Sequence, residues 1–397
     1  MSDPRLPNPY TPGQVPRVLA GRTSELTRIR DQVGRVATFG ELGGPLLVFH
    51  APRGLGKTSL LRTAQRQTAE LGFVSAWVAC SRERPFLPEL VRVIERSLQR
   101  ADITPTGEAG ARWRSRLDKI SVELGVPGVK VRADLANQAA PGSAPPAGAA
   151  PIAALEDLLH DAAQVVRGRG GAGLLVFIDE LHAASADDMA ILLNALQNLD
   201  GEREHNPLAV ISAGLPVTPE ALTRAATFGE RSSFVPLDVL DDTDARAALS
   251  APAEALGVHW ADAALDRVVS EARGHPYFLQ LVGSATWNAA RPVAGDPITE
   301  ESVVAGVPAA TEQLTAMYRA RWRSATRAEQ AFLAAMAAAG TENVGRAQIA
   351  ATLGQDTRAI SVPRERLIEK GVIEPVGHGL VRFTLPGFAV YVRSQDA

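Results

Sequence analysis

The residues best suited to chemistry in this sequence form one run: Ala51, Pro52, Arg53, Gly54, Leu55, Gly56, Lys57, Thr58 and Ser59. Glycines at 54 and 56 let the backbone turn so that successive N–H groups point inward around phosphate oxygens. A helix opening directly afterwards adds the positive end of its dipole. Lys57 supplies a flexible cation for the outer phosphates, the Thr58 hydroxyl a magnesium ligand, and Ser59 a hydrogen bond to the inner phosphate. Arg53 either touches the outer phosphate or points to solvent. The run follows the apolar segment LLVFH at 46–50 and precedes LLRTAQRQTAEL, which is helical in period. Strand, glycine-rich loop and helix in that order make a P-loop, which predicts ATP and Mg2+ as ligands.

A second constellation lies at LLVFIDE, 174–180, where an apolar run delivers adjacent carboxylates at the end of an expected strand. It resembles a Walker B segment. Asp179 is the expected magnesium ligand and Glu180 the residue that polarises the attacking water, their opposite orientations on a strand permitting two roles. The other reading is a solvated strand end followed by a helix cap. The single cysteine, Cys80, ends an apolar run and reads as a small buried hydrophobe; no base is in evidence to make it a nucleophile.

The elements that must position these groups are legible from apolar runs. LLVFH, SAWVAC at 75–80, LLVFIDE, LAVISAG at 208–214 and SFVPL at 233–237 are mostly continuous rather than alternating, as strands of a parallel sheet covered on both faces are. An α/β P-loop sheet over 18–240 follows. After Leu240 helices take over, beginning with DDTDARAALSAPAEALG, and 241–308 reads as a second, helical unit. Residues 309–397 give three helical patterns and then GVIEPVGHGLVRFTL, a ribbon with a turn at Gly377–Gly379. Three helices plus a ribbon predict a winged-helix domain. Within 101–150, TPTGEAG and APGSAPPAGAAP read as linkers flanking an inserted hairpin at ISVELGVPGVKVRAD, and the proline-rich residues 1–17 read as a flexible segment.

Length and composition are those of a multidomain globular protein: 397 residues, 46% hydrophobic, formal charge −3. That charge gives no global attraction to nucleic acid or to an anionic membrane. No apolar run is long enough for a membrane span and the start lacks a signal-peptide core, so the expected location is the cytoplasm.

The order of LAGRTSEL at 19–26, the P-loop, VFIDELH, AVISAGLP at 209–216 and GHPYFLQ at 274–280 resembles the AAA+ and signal-transduction (STAND) ATPases, in particular bacterial and archaeal origin-recognition-like ATPases. The resemblance covers nearly the whole chain. It implies a five-stranded sheet in order 5-1-4-3-2, then a helical lid, then a winged helix. Ala51 stands where the family has its first P-loop glycine, the position most often relaxed. Gly21 and Arg22 match a "GR" box whose preceding residues, Val18 and Leu19, flank the adenine. Ser212 takes the sensor-one position, where relatives carry Asn, Thr or Arg, and Pro276 matches the "GxP" of the lid, which contacts the nucleotide.

Further residues carry two readings each. Arg231, before the last strand, is either an arginine finger completing a neighbouring subunit's site in a homo-oligomer or a solvated helix-end arginine; Arg224 is the next candidate. His182 either couples nucleotide state to the following helix or is an exposed helix-start histidine. In the winged helix, QIAATLGQDTRAISVPRERLIEKG reads as helix, turn and a second helix carrying Arg358, Arg364, Arg366 and Lys370. The preceding stretch adds Arg319, Arg321, Arg323 and Arg327, while Glu365, Glu369 and Pro363 interrupt the basic pattern. The expected output is a slow ATP-hydrolysing switch that acts through this domain on duplex DNA or on a protein partner. A helper ATPase for transposition or secretion is the outlying alternative.

Overall fold

The computed structural model describes residues 5–104, 107–124, 149–340, 343–377 and 379–395. The chain divides into two compact units, one of 22–50 with 60–236, the other of the segment before Arg22, residues 51–59 and everything from Leu237 onward. In chain order the elements up to Pro236 are α1 (Thr23–Phe39), β1 (Leu47–His50), α2 (Lys57–Ala69), β2 (Phe73–Ala79), α3 (Phe86–Arg100), α4 (Gly107–Glu123), α5 (Ala149–Gly168), β3 (Gly173–Asp179), α6 (Ala186–Gly201), β4 (Leu208–Gly214), α7 (Thr218–Ala225) and β5 (Ser233–Pro236).

The five strands form one sheet in the order β2-β3-β4-β1-β5 with parallel pairing throughout, which is the expected 5-1-4-3-2 order read from the other side. Every residue of β3 and β4 is buried, and this is why their sequences are apolar without alternation. Because all strands run the same way, the loops after β1, β3 and β4 leave from one edge. Helices close the faces with apolar stripes: α3 buries Phe86, Leu90, Val91, Ile94 and Leu98, each such side chain contributing about 2 kcal/mol.

The region expected as a hairpin is corrected where it is described. Ile120–Glu123 form the last turn of α4, because Trp113, Leu117, Ile120 and Leu124 recur at helical spacing and all are buried. The rest of that hairpin, and the linker APGSAPPAGAAP up to residue 148, lie outside the described residues. The expectation of a flexible start is also corrected over 8–11. Tyr10 is buried, donates its hydroxyl proton to the Leu249 carbonyl at 2.5 Å and packs edge-on against Trp260 and Trp287, while Asn8 bonds Ser284 and Asn288. An aromatic in a three-ring cluster outweighs the prolines that suggested mobility.

From Leu237 the elements are α8 (Asp242–Glu254), β6 (His259–Trp260), α9 (Asp262–Ala272), α10 (Pro276–Ala290), β7 (Pro297–Ile298), α11 (Glu300–Ser324), α12 (Arg327–Ala339), β8 (Val344–Gly345), α13 (Arg346–Thr352), α14 (Ser361–Glu369), β9 (Ile373–Pro375), β10 (Leu380–Phe383) and α15 (Phe388–Arg393). The boundary expected between 308 and 309 falls inside α11, which runs unbroken through Pro308. A capping box between Thr326 and Glu329 then starts α12. Strands β8, β10 and β9 form a small antiparallel sheet beside α12, α13 and α14. Among the described residues no helix is long and apolar enough to cross a membrane.

Candidate functional site

The P-loop leaves β1 at His50 and ends as α2 begins at Lys57. Gly54 and Gly56 have φ of 87° and 86°, the left-handed region where a side chain is strained. At Gly54 the restriction is doubled, since an added Cβ would stand 2.6 Å from Cε1 of His275. Lys57 is 5% exposed, and its ammonium donates to the carbonyls of Ala51 and Pro52, both at 2.8 Å. A cation held by backbone oxygens inside its own loop is satisfied electrostatically yet able to exchange those oxygens for phosphate.

The start of α10 holds this loop. His275 precedes Pro276, which takes the first helical position, and the Tyr277 N–H donates to the Gly54 carbonyl at 3.2 Å. His275 is buried and stacked on Phe278 with ring centroids 4.6 Å apart. Neither ring nitrogen has a hydrogen bond of good geometry, the Arg53 backbone giving only partial compensation, and burial pushes the imidazole down to about 4. The family-like GHP element pointed to Pro276; the histidine beside it escaped notice because nothing in a sequence distinguishes a buried from an exposed imidazole.

Arg53 lies within electrostatic reach of Arg321, near the end of α11. Burial and this like charge push the half-buried Arg321 guanidinium down to about 10. Its Nη1 donates to the Gly371 carbonyl at 3.0 Å. Arg321 therefore belongs to the inside of this unit rather than to an outward basic surface. Lys370 is half-buried and committed to a contact within the chain: its ammonium pairs with the fully buried Glu329 at 2.6 Å. Arg364 is half-buried, whereas Arg319, Arg323, Arg327, Arg358 and Arg366 are exposed. Pro363 sits in the first turn of α14, where a proline is tolerated, so the helix starts late rather than kinking.

Val18, Leu19 and Gly21 are half-buried. Gly21 has φ of 56°, where a side chain is strained, and a Cβ there would also have to displace the Asp244 carboxylate. Arg22 caps α1 with φ of 115° and pairs with Glu25 at 3.6 Å.

At the end of β3, Asp179 is 5% exposed. Its Oδ1 accepts the Glu180 N–H at 3.0 Å and its carbonyl accepts the Cys80 N–H at 2.9 Å. Glu180 adopts φ 54° and ψ 37°, a left-handed conformation that costs a glutamate about 1–3 kcal/mol and is found where a site over-determines the backbone. The turn is closed by the Ala183 N–H on the Glu180 carbonyl at 2.8 Å. Burial, reinforced by Asp188, Asp179 and Glu180, pushes the Cys80 thiol up to about 12, in keeping with a small hydrophobe.

Of the two readings of His182, the exposed helix-start histidine is overturned. Its side chain is 6% exposed, with Nε2 3.5 Å from Glu180 Oε2 and Nδ1 accepting the Leu215 N–H at 3.3 Å. Ser212 is fully buried and spends its hydroxyl on the Leu47 carbonyl at 3.3 Å, so the residue expected as sensor one is consumed within the sheet. The reason is its place two residues inside β4, where strand neighbours compete for the hydroxyl. Arg231 is exposed with its guanidinium over the Phe228 ring at 5.5 Å, and Arg224 is exposed and paired with Glu220 on its own helix.

The profile of the AAA ATPase domain matches residues 18–211, the stretch that holds both constellations. Residues 18–211 are an AAA ATPase domain. It is an ATP-binding P-loop ATPase domain of the AAA+ class, as the motif order had implied. Residues 315–392 match a second family, described as "Domain of unknown function (DUF8462)". No curated protein sequence matches the chain. Among solved structures, a Walker-type ATPase of Pyrococcus abyssi superposes with a TM-score of 0.62 at 14% identity, over 95% of this chain and 96% of that one. That likeness extends the shared fold beyond the AAA ATPase domain. The Aeropyrum pernix Orc1 protein in complex with DNA gives 0.44 at 16% identity over 97% and 95%, and the Thermotoga maritima RuvB Holliday junction branch migration motor gives 0.44 at 14% over 91% and 92%.

Proposed function

We propose that the protein is a nucleotide-dependent switch that binds Mg-ATP on the AAA ATPase domain, hydrolyses it slowly, and delivers its output through the C-terminal helices and ribbon acting as a winged helix. The observation that carries this reading is the P-loop lysine: a nearly buried ammonium resting on the Ala51 and Pro52 carbonyls, in a loop whose glycines are both left-handed. That donor set fits a polyphosphate, because backbone N–H groups and one movable cation are what phosphate oxygens require.

In this reading Thr58 and Asp179 hold Mg2+, which neutralises charge on the outer phosphates when bound. Lys57 leaves its backbone carbonyls for phosphate oxygens. Glu180 orients water, and its left-handed turn fixes where that carboxylate can point. Pro276 and His275 set α10 against the P-loop, so phosphate contacts at Gly54 are felt at the lid. Arg231 is kept as a finger that would act only in a homo-oligomer. The expected location remains the cytoplasm.

DNA is the second reading of the output, favoured by the exposed Arg358 on the approach to α14 and Arg366 within it. A protein partner on the same face is the competing one.

Titration with a fluorescent ATP analogue tests the central claim. Lys57→Ala should weaken binding of both ATP and ADP by about a hundredfold or more. Unchanged affinity would sink the P-loop assignment.

A further inference from the structure

His182 stands between the end of β3 and the end of β4. A backbone N–H can only donate, so the contact from Leu215 to Nδ1 requires the lone pair on that nitrogen. In a neutral imidazole the proton then sits on Nε2, the atom that faces Glu180 Oε2 at 3.5 Å. The ring is thereby oriented: the Leu215 N–H donates to Nδ1, and Nε2 faces the Glu180 carboxylate across a 3.5 Å contact.

The far end of that chain is itself fixed. Leu215 follows Gly214, the last residue of β4, and its carbonyl accepts the hydroxyl of the fully buried Thr218, first residue of α7, at 2.6 Å. Gly214 cannot carry a side chain, since a Cβ there would meet Thr218 Oγ1 at 2.1 Å. The connection from β4 to α7 is therefore tightly packed, and His182 reads its position through one backbone N–H. A base whose orientation is set by a third group is a recurrent catalytic arrangement.

We propose that His182 is a positioning residue: it holds the Glu180 carboxylate in its working orientation and ties that orientation to the β4–α7 connection. This rests on the reading of Glu180 as the residue that orients the attacking water. It extends that reading, because a displacement of α7 would then alter hydrolysis without touching the nucleotide.

Single-turnover hydrolysis and ATP affinity, measured for the full chain, test it. His182→Ala should slow hydrolysis by about ten- to a hundredfold, the loss typical of a misplaced catalytic group, with the ATP dissociation constant changed by no more than about twofold. In the Glu180→Gln background His182→Ala should slow nothing further, because the group it positions is gone. Should His182→Ala not fold, His182→Gln, which retains a donor and an acceptor, enters the same pair of backgrounds, with a smaller loss expected in the first and none in the second. The proposal is overturned if removal of the imidazole leaves hydrolysis unchanged, or slows both backgrounds by the same factor. A Glu180→Gln protein that hydrolyses ATP at the wild-type rate overturns the reading of Glu180 instead, and is recognisable before His182 is altered.

Discussion

The end of β3 and the start of α10 both carry ionisable groups in nearly dry surroundings, yet they are supported in different ways. At β3 each carboxylate has a polar contact aimed at it: Asp179 takes the Glu180 N–H and Glu180 faces His182. At α10 the His275 ring has packing against Phe278 and Gly54 but no good hydrogen bond, and nearby Arg321 is half-buried beside another guanidinium. The first arrangement fixes a geometry. The second leaves two imidazole nitrogens without a good hydrogen bond and two guanidinium groups within reach of each other, so it is held by packing rather than by polar partners.

The largest expected effect breaks the braced end. Glu180→Gln keeps size and leaves Asp179 in place, so ATP should still bind while single-turnover hydrolysis falls by about a hundredfold or more, the usual worth of a positioned general base. Loss of binding together with hydrolysis would mean that this carboxylate supports the fold or the magnesium, and the contrast between the two regions would fail.

A smaller effect probes the unsatisfied end. The ordinary imidazole titrates near 6.5, and burial holds folded His275 down at about 4. Above pH 6.5 the ring is neutral in both folded and unfolded chains and costs nothing through titration. Between about 6.5 and 4 the unfolded chain takes up a proton that the folded chain refuses, so stability falls with pH by up to about 3 kcal/mol. His275→Phe keeps the stack on Phe278 and removes the titration. Denaturant unfolding at pH 7.5 and pH 5 should show a larger acid loss in the wild type than in His275→Phe. Equal losses would show that His275 finds a partner in the folded state.

The sheet was readable because its physics is local: a parallel strand covered on both faces must be apolar at every position, and β4 was found at its expected limits of Leu208 and Gly214. The P-loop was readable because Gly54, Gly56 and Lys57 are demanded by phosphate chemistry regardless of context. What escaped depends on residues far apart in sequence. Leu215 decides that His182 is internal, Glu329 decides that Lys370 is committed, and Trp260 with Trp287 decides that Tyr10 is anchored. Ile120 misled for another reason. It was included in a hairpin suggested by alternating Val, Lys and Arg around a central Pro-Gly, while its register with Trp113 and Leu117 makes a helix.

The smallest expected effect separates arginines that the sequence could not rank. Counting basic residues treated Arg321, Lys370, Arg358 and Arg366 alike, but the first two, both half-buried, are committed to partners in the chain, the Gly371 carbonyl and the Glu329 carboxylate. Of these four, the exposed pair is the one that a phosphate backbone can reach without breaking an internal contact. If duplex DNA is the partner, Arg358→Glu with Arg366→Glu should weaken binding at low salt and lower the salt-dependence slope by about two, one for each phosphate that the pair no longer neutralises. Lys370→Ala should act on stability instead, since it strands Glu329 without its cation. Anisotropy titrations with duplex DNA at two salt concentrations, with ATP and with ADP, measure the first, and thermal unfolding measures the second. A slope unchanged by the double reversal would place DNA elsewhere on the chain. A wild-type protein that binds ATP but no DNA in any condition would leave Arg358 and Arg366 to a protein partner, and the division between committed and available arginines would still stand on the unfolding data alone.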